Sequence, residues 1–163
     1  MNIRPCEERD LEQLNELYNF YVRTTPITFD IEEIGMDARR EWFSHYSLTG
    51  RHRLLVAIDD DKVIGYASSS SFRPKRAYET SIETSIYLLD GHGGRGIGTK
   101  LYEALFETVA GEDVHRAYAG ITMPNDSSVG LHKKFGFRDI AYFSEQGRKF
   151  DRYWDVAWFE KEL

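Results

Sequence analysis

Five glycines fall within the eight residues Gly91-His92-Gly93-Gly94-Arg95-Gly96-Ile97-Gly98. Residues without a side chain turn tightly and let successive backbone N–H groups close on a ligand. A helix opening there adds unpaired donors and the positive end of its dipole, a combination suited to phosphate oxygens. Arg95 could supplement them with a charge. The same glycines would also serve a plain strand-to-helix turn. A nucleotide triphosphatase loop is excluded, because Thr99-Lys100 reverse the Lys-Ser/Thr order it needs. Gly91-x-Gly93-x-x-Gly96 matches a dinucleotide fingerprint formally, but Glu112 and Asp113, the acids about 20 residues on, follow a helix instead of ending a second strand. A pyrophosphate on a longer cofactor stays open.

Three other positions could do chemistry. Glu83 interrupts a β-rich run, Ile82-Glu83-Thr84-Ser85-Ile86-Tyr87-Leu88, where a charge must be accommodated. Periodicity by itself would let it face solvent or pair with an arginine. His132 follows Ser128 by four residues, hence on one helical face, and an imidazole of near-neutral pKa could relay a proton or simply pack. Arg73-Pro74-Lys75-Arg76 sets three cations in four positions of a chain whose net charge is -6. Guanidinium groups grip a carboxylate or phosphinate bidentately, although a solvated basic loop reads the same way.

The elements that must position these residues follow from patterning. Met1–Arg4 reads as a short strand stopped by Pro5. Asp10 reads as the cap of a helix buried through Leu11, Leu14, Leu17, Tyr18 and Tyr21. After a loop over Thr24–Asp30, a second helix spans Ile31 to Tyr46. Arg53–Ile58 and Lys62–Ser70 flank Asp59-Asp60-Asp61 as a hairpin. Its three acids make a solvated turn, not a metal site. A long strand runs from Tyr78 to about Leu89, with Ser81, Glu83, Ser85 and Tyr87 on one face. The helix after the glycines buries Leu101, Leu105 and Val109. A strand over His115–Ile121, a short helix over Ser127–Phe135, and strands over Phe137–Phe143 and Tyr153–Glu160 complete the chain. This order predicts an α/β sandwich of α+β type with a mixed sheet, in one domain over residues 1–163.

Apolar residues at 41% and charged residues at 29% describe a globular chain able to bury a core. The acidic balance argues against a nucleic-acid or membrane-binding surface. Cys6, the one cysteine, has no disulfide partner, which suits the cytoplasm. The histidines show no metal-ligand spacing, so no metal is expected.

The sequence resembles the GNAT acetyltransferase superfamily, in particular its phosphinothricin and methionine sulfoximine N-acetyltransferase branch. The resemblance covers nearly the whole chain. It rests on Ile82–Leu88, Gly96-Ile97-Gly98-Thr99-Lys100-Leu101-Tyr102, Pro124-Asn125-Asp126-Ser127-Ser128-Val129, Leu131-His132-Lys133-Lys134-Phe135-Gly136-Phe137, and Trp154-Asp155-Val156-Ala157-Trp158-Phe159. The ordered set is specific for the acyl-CoA N-acyltransferase fold, whose central strands splay to admit the pantetheine arm of acetyl-CoA.

The resemblance implies backbone contacts to pantetheine from Ile86, Tyr87 and Leu88. It implies a pyrophosphate site over Gly93, Gly94, Arg95, Gly96, Ile97 and Gly98, with Asn125 and Ser128 approaching from the opposite strand. The branch usually begins that turn with Gln or Arg; Gly93 removes the side chain and keeps the backbone donor. Glu83 matches the catalytic glutamate that takes a proton from the attacking amine, with His132 as the competing base. Direct transfer is the mechanism expected, and a backbone N–H near Leu88 supports the developing oxyanion as the resemblance implies. Tyr142 and Tyr118 are possible proton donors to the departing thiolate, and the sequence does not choose between them. Arg73, Arg76, Ala77 and Tyr78 would hold the acidic end of an amino-acid acceptor, beneath a lid from Phe29 in the Thr28-Phe29 loop. A homodimer is implied, to which Phe150, Tyr153, Trp154, Trp158 and Phe159 could contribute, unless they are core. Two other readings stand beside this one: acetylation of a peptide terminus or other small amine, and a catalytically silent acetyl-CoA-binding module.

Overall fold

The computed structural model describes all residues, Met1–Leu163. Its strands are β1 (Asn2–Pro5), β2 (Arg53–Asp59), β3 (Lys62–Ser71), β4 (Ser81–Leu88), β5 (Arg116–Thr122), β6 (Arg138–Lys149) and β7 (Arg152–Glu162). They form one seven-stranded sheet in the order β1-β2-β3-β4-β5-β7-β6. Every neighbouring pair is antiparallel except β4 and β5. The helices are α1 (Leu11–Thr24), α2 (Met36–Phe43), α3 (Ile97–Val109) and α4 (Asp126–Lys134). None is long and apolar enough to cross a membrane.

The helices cover both faces of the sheet because its central strands are apolar on both. In β2, Leu54 and Val56 pack under α1 with Leu11, Leu14 and Leu17, while Leu55 and Ala57 face α3 with Leu101, Tyr102 and Leu105. A third cluster joins Ile82, Ala117, Ala119, Ile121 and Phe159 beneath Phe106 and Val129. The mixed, helix-flanked sheet expected from the element order is therefore present.

Several boundaries differ from the sequence reading. The second helix is only Met36–Phe43, beginning after Gly35 in extended conformation. Strand β4 starts at Ser81, because Arg76–Tyr78 form a single 3-10 turn that ends the basic loop. Asp10 makes no side-chain cap to α1; its carboxylate is taken by Arg4, at 2.6 and 2.8 Å, and by Glu7 N–H at 2.8 Å. The last two strands are one long hairpin turning at Phe150-Asp151, both with positive φ. Its aromatics divide: Phe159 is core, Trp154 and Trp158 are half-buried, and Phe150 and Tyr153 are exposed.

The sheet is interrupted at one seam. Parallel pairing of β4 with β5 covers only Ser81↔Arg116, Ile82↔Ala117 and Glu83↔Tyr118. Beyond it β4 continues to Leu88, still paired with β3, while β5 continues to Thr122, still paired with β7. Close packing holds the β5 side in place, since a Cβ on Gly120 would lie 3.0 Å from the Trp158 ring. Gly120→Ala must displace that rigid indole, and should lower unfolding stability by about 1–3 kcal/mol in a urea titration.

Candidate active site

Hydrogen bonding fixes which backbone groups of β4 face the seam. Leu89 N–H donates to Ile64 O at 2.9 Å on β3, and His115 N–H donates to Thr80 O at 2.8 Å on the β5 side. Alternation between these anchors points the backbone of Ser85 and Tyr87 at β3 and that of Thr84, Ile86 and Leu88 at the seam. No strand meets Ile86 and Leu88 there. The Leu88 carbonyl accepts from Tyr21 Oη at 2.6 Å, leaving its N–H to a ligand.

The seam opens into a groove of about 780 Å³ whose walls are β4, the glycine turn and the N-terminal turn of α4. Ile86, Tyr87, Leu88, Gly93, Gly94, Gly96, Ile97, Gly98, Asn125 and Ser128 all line it. Gly94 and Gly96 have φ of +74° and +76°, which a side chain would strain. Gly98 serves closeness instead: a Cβ there would lie 3.3 Å from Leu131 of α4. Asn125 caps α4 by accepting from Ser128 N–H at 3.2 Å. Backbone donors at a helix start and an unpaired strand edge suit a ligand with phosphates at one end and amides along its arm.

Across the sheet lies a second cavity, of about 280 Å³, bounded by α1 and α2 and floored by Tyr66, Ser68 and Ser70 of β3 with Ser85 and Tyr87 of β4. Glu83 stands on that floor's face, paired with Ser70 and, across the last rung before the seam, with Tyr118. Its carboxylate is half-buried and makes no hydrogen bond or ion pair within the protein. Burial pushes it above the usual carboxylate range, with Arg73 pulling weakly the other way. Tyr118 stacks on Phe72, with ring centroids 4.4 Å apart.

The Acetyltransferase (GNAT) domain model matches residues 3–158. The chain belongs to this family. It is 52% identical to the phosphinothricin N-acetyltransferase of Streptomyces coelicolor, over 100% of this chain and 96% of that one. It is 31% identical to the L-methionine sulfoximine/L-methionine sulfone acetyltransferase of Pseudomonas aeruginosa, over 99% and 94% of the two chains. Among solved structures, a GNAT phosphinothricin acetyltransferase of Sinorhizobium meliloti in complex with acetyl-CoA superposes with a TM-score of 0.92. That pair is 30% identical, over 99% of this chain and 88% of the other.

Within this GNAT domain the expected residues separate into groups. Arg95 does not line the groove; it is exposed on the turn, its charge reaching Asp59. His132 is 3% exposed and belongs to a buried network. Its Nδ1 lies 2.7 Å from Ser128 O and its Nε2 2.8 Å from Tyr102 Oη, which is 3.3 Å from Thr84 Oγ1. Burial holds the imidazole below its ordinary pKa, hence neutral at pH 7. Both ring nitrogens are engaged, Nδ1 by the Ser128 carbonyl and Nε2 by the Tyr102 hydroxyl, so neither is free for an amine. Tyr142 is 57% exposed on the outer strand, its hydroxyl donating to Asp155, two strands from the seam. Tyr118 alone of the two expected donors stands at the seam.

Arg73, Lys75 and Arg76 form no ion pair in the protein, and Arg73 lies over the Phe72 ring at 5.0 Å. Ala77 and Tyr78 are exposed on the 3-10 turn. Phe29 is half-buried against Gly147 of β6, where any Cβ would collide with its ring, and the adjacent Thr28 O accepts from Lys149 Nζ at 2.8 Å. The loop is thus tied to the terminal hairpin, with Asp30 and Ile34, not Phe29, lining the smaller cavity. Sequence reasoning missed Tyr21, Thr99 and Lys134 in the groove, and Arg39 in the smaller cavity. The signal for Arg39 was available: a cation three residues from Met36 and from Trp42, on the buried stripe of a short helix.

Gly93 separates from its neighbours in a testable way. It has no positive φ and open space around its α-carbon, so Gly93→Gln should fold as the parent does and bind CoA about 2- to 5-fold more tightly through an added donor. Gly96→Ala should instead cost about 1 kcal/mol of stability and weaken CoA binding, both measurable by calorimetry.

Proposed function

We propose that this acetyltransferase transfers the acetyl group of acetyl-CoA directly to the amino group of a small amino-acid-like acceptor. Phosphinothricin, methionine sulfoximine and methionine sulfone define the type. The carrying observation is Glu83: a half-buried carboxylate without a protein partner, at the last rung before the strands part.

Acetyl-CoA supplies an acyl group already activated as a thioester. Everything else falls to the chain. Gly93–Gly98 and the start of α3 offer backbone donors to phosphate oxygens, and Lys134 lines the same groove with a charge. Ile86 and Leu88 offer strand-edge groups to the arm, and Leu88 N–H can support a carbonyl oxygen as charge develops on it. An ammonium has no lone pair, so Glu83 takes the proton from the acceptor nitrogen. Burial raises its pKa, which makes its ionised form a stronger base than an exposed glutamate. Tyr118, across the seam from Glu83, is assigned the proton for the departing thiolate. His132 is assigned a positioning role, holding α4 against α3 and β4. Cys6 is unsuited to carry the acyl group, because burial pushes its thiol up to about 12.

Acceptor choice follows from charge. Arg73 and Arg76 are unpaired cations beside β4, and we assign them the acceptor's α-carboxylate, with Tyr78 and Ala77 shaping the loop. A second copy of the chain is proposed to cover the exposed aromatics Tyr142, Phe143, Phe150 and Tyr153 of the terminal hairpin.

Thiol release with acetyl-CoA and a panel of amino acids, polyamines and short peptides tests the proposal. Saturable release with the phosphinothricin group, and a mass gain of one acetyl on the amine, is expected. Acceptance of peptides or polyamines alone would overturn the acceptor assignment. Because the base works ionised, kcat/KM should fall tenfold per pH unit below the Glu83 pKa, with the break above that of an ordinary glutamate. Glu83→Gln should abolish this limb and lower kcat about 100-fold or more with acetyl-CoA binding unchanged. Arg76→Ala should raise KM for anionic amino acids about 10-fold and leave KM for acetyl-CoA within twofold.

A further inference from the structure

Arg39 is an unbalanced buried cation. The residue is 3% exposed, on α2, and lines the cavity of about 280 Å³ between α1, α2 and the β3–β4 floor. Its Nε donates to Asn15 Oδ1 at 2.8 Å, and its guanidinium stacks on Tyr18 and Trp42, 4.7 and 4.5 Å from the ring centroids. Those contacts fix the plane of the group without neutralising it. Nη2 is fully buried and has no hydrogen-bond partner in the protein.

No acid compensates the charge. Asp30 is the one carboxylate lining this cavity, and it forms no ion pair with Arg39; it accepts from Tyr18 Oη at 2.5 Å and shares its field with the buried Lys149. A desolvated guanidinium with unused donors is costly, and an oxyanion in the cavity would offset that cost at Nη1, which makes no hydrogen bond in the protein and is not sealed off as Nη2 is. The floor supplies further polar groups, with Ser68, Ser70 and Ser85 lining the same space.

We infer that Arg39 forms a subsite for the oxygen-bearing far end of the acceptor, favouring side chains that end in a phosphinate or carboxylate over the neutral sulfone and sulfoximine, and these over apolar ones. The inference rests on the amino-acid acceptor proposed above and adds a second point of recognition to it. Arg73 and Arg76 lie beyond Glu83 along the β3–β4 floor, and Arg39 lies at the opposite end. An acceptor with its α-carboxylate at the basic loop and its amine at Glu83 sends its side chain into the Arg39 cavity. Arg39 is a specificity residue in this arrangement, distant from the atoms that react.

The test compares two acceptors of similar length, phosphinothricin with its anionic end and norleucine with an apolar one. The wild-type protein should favour phosphinothricin in kcat/KM by about 10- to 100-fold, the worth of a charged hydrogen bond in a desolvated site. Arg39→Lys and Arg39→Gln should abolish most of that preference, acting on KM for phosphinothricin and leaving norleucine and acetyl-CoA constants within about threefold. Because either substitution could disturb α2, wild-type calorimetry without acetyl-CoA provides an independent reading: phosphinothricin should bind and norleucine should bind at least 10-fold more weakly. Equal treatment of the two acceptors by the wild type, or equal losses on both in folded variants, would overturn the subsite while leaving amino-acid acetylation intact. Arg39-dependent binding of phosphinothricin without its acetylation would support the subsite and overturn the acceptor reading.

Discussion

Parallel pairing between β4 and β5 ends at Glu83 and Tyr118, and most of the site follows from that early end. Two strands that continue past their last shared rung leave peptide groups facing each other across a space too wide to bridge. In a folded core such groups would be a liability, since unpaired backbone donors are costly away from water. At a ligand groove the same groups become a ready-made strand edge. On the proposed reading, the sheet itself supplies recognition of an amide-bearing arm, without dedicated side chains.

Keeping the strands apart requires structure on both faces. On the α3–α4 face, Thr84, Tyr102, His132 and Ser128 connect β4, α3 and α4 through buried polar contacts. The near contact of Gly98 with Leu131 sets how closely those helices approach. Across the sheet, Tyr21 occupies the Leu88 carbonyl, and Tyr66, Tyr87, Tyr18 and Trp42 form an aromatic wall around Arg39. Glu83 lies where these two halves meet. On the proposed reading, chemistry sits at the end of the pairing because there one side chain can serve ligands approaching from both sides.

How far the sequence disclosed this depends on the kind of signal. The glycine turn was legible because positive φ and close approach restrict residue type so strongly, and the run from Gly93 to Gly98 lines the groove except at Arg95. Arg95 stands apart from that run, exposed on the turn, because a cation among glycines reads as a ligand by type, whereas the local backbone rotation decides where its side chain points. The long helix assigned over Ile31–Tyr46 contracted to eight residues, because Gly35 and the two hydrogen bonds from Asn15 and Asn19 to Ile34 O hold the preceding segment out of helical geometry. Those tertiary bonds carry no periodicity. His132 was correctly placed on one face with Ser128, but its engagement by Tyr102, thirty residues earlier, depends on helix packing that spacing does not encode. The seam itself was implied by family resemblance alone; neither β4 nor β5 announces in its own residues where the other will leave it.

Residue-resolved amide hydrogen exchange, with and without saturating CoA, tests the role of the seam most directly. Ser85 and Tyr87 bond into β3 and should exchange slowly in both states. Ile86 and Leu88 should exchange readily in the free protein and slow by at least about 10-fold on binding, as a ligand takes the place of the missing strand. Unchanged exchange at Ile86 and Leu88, with protection confined to the glycine turn or to other surfaces, would contradict the account.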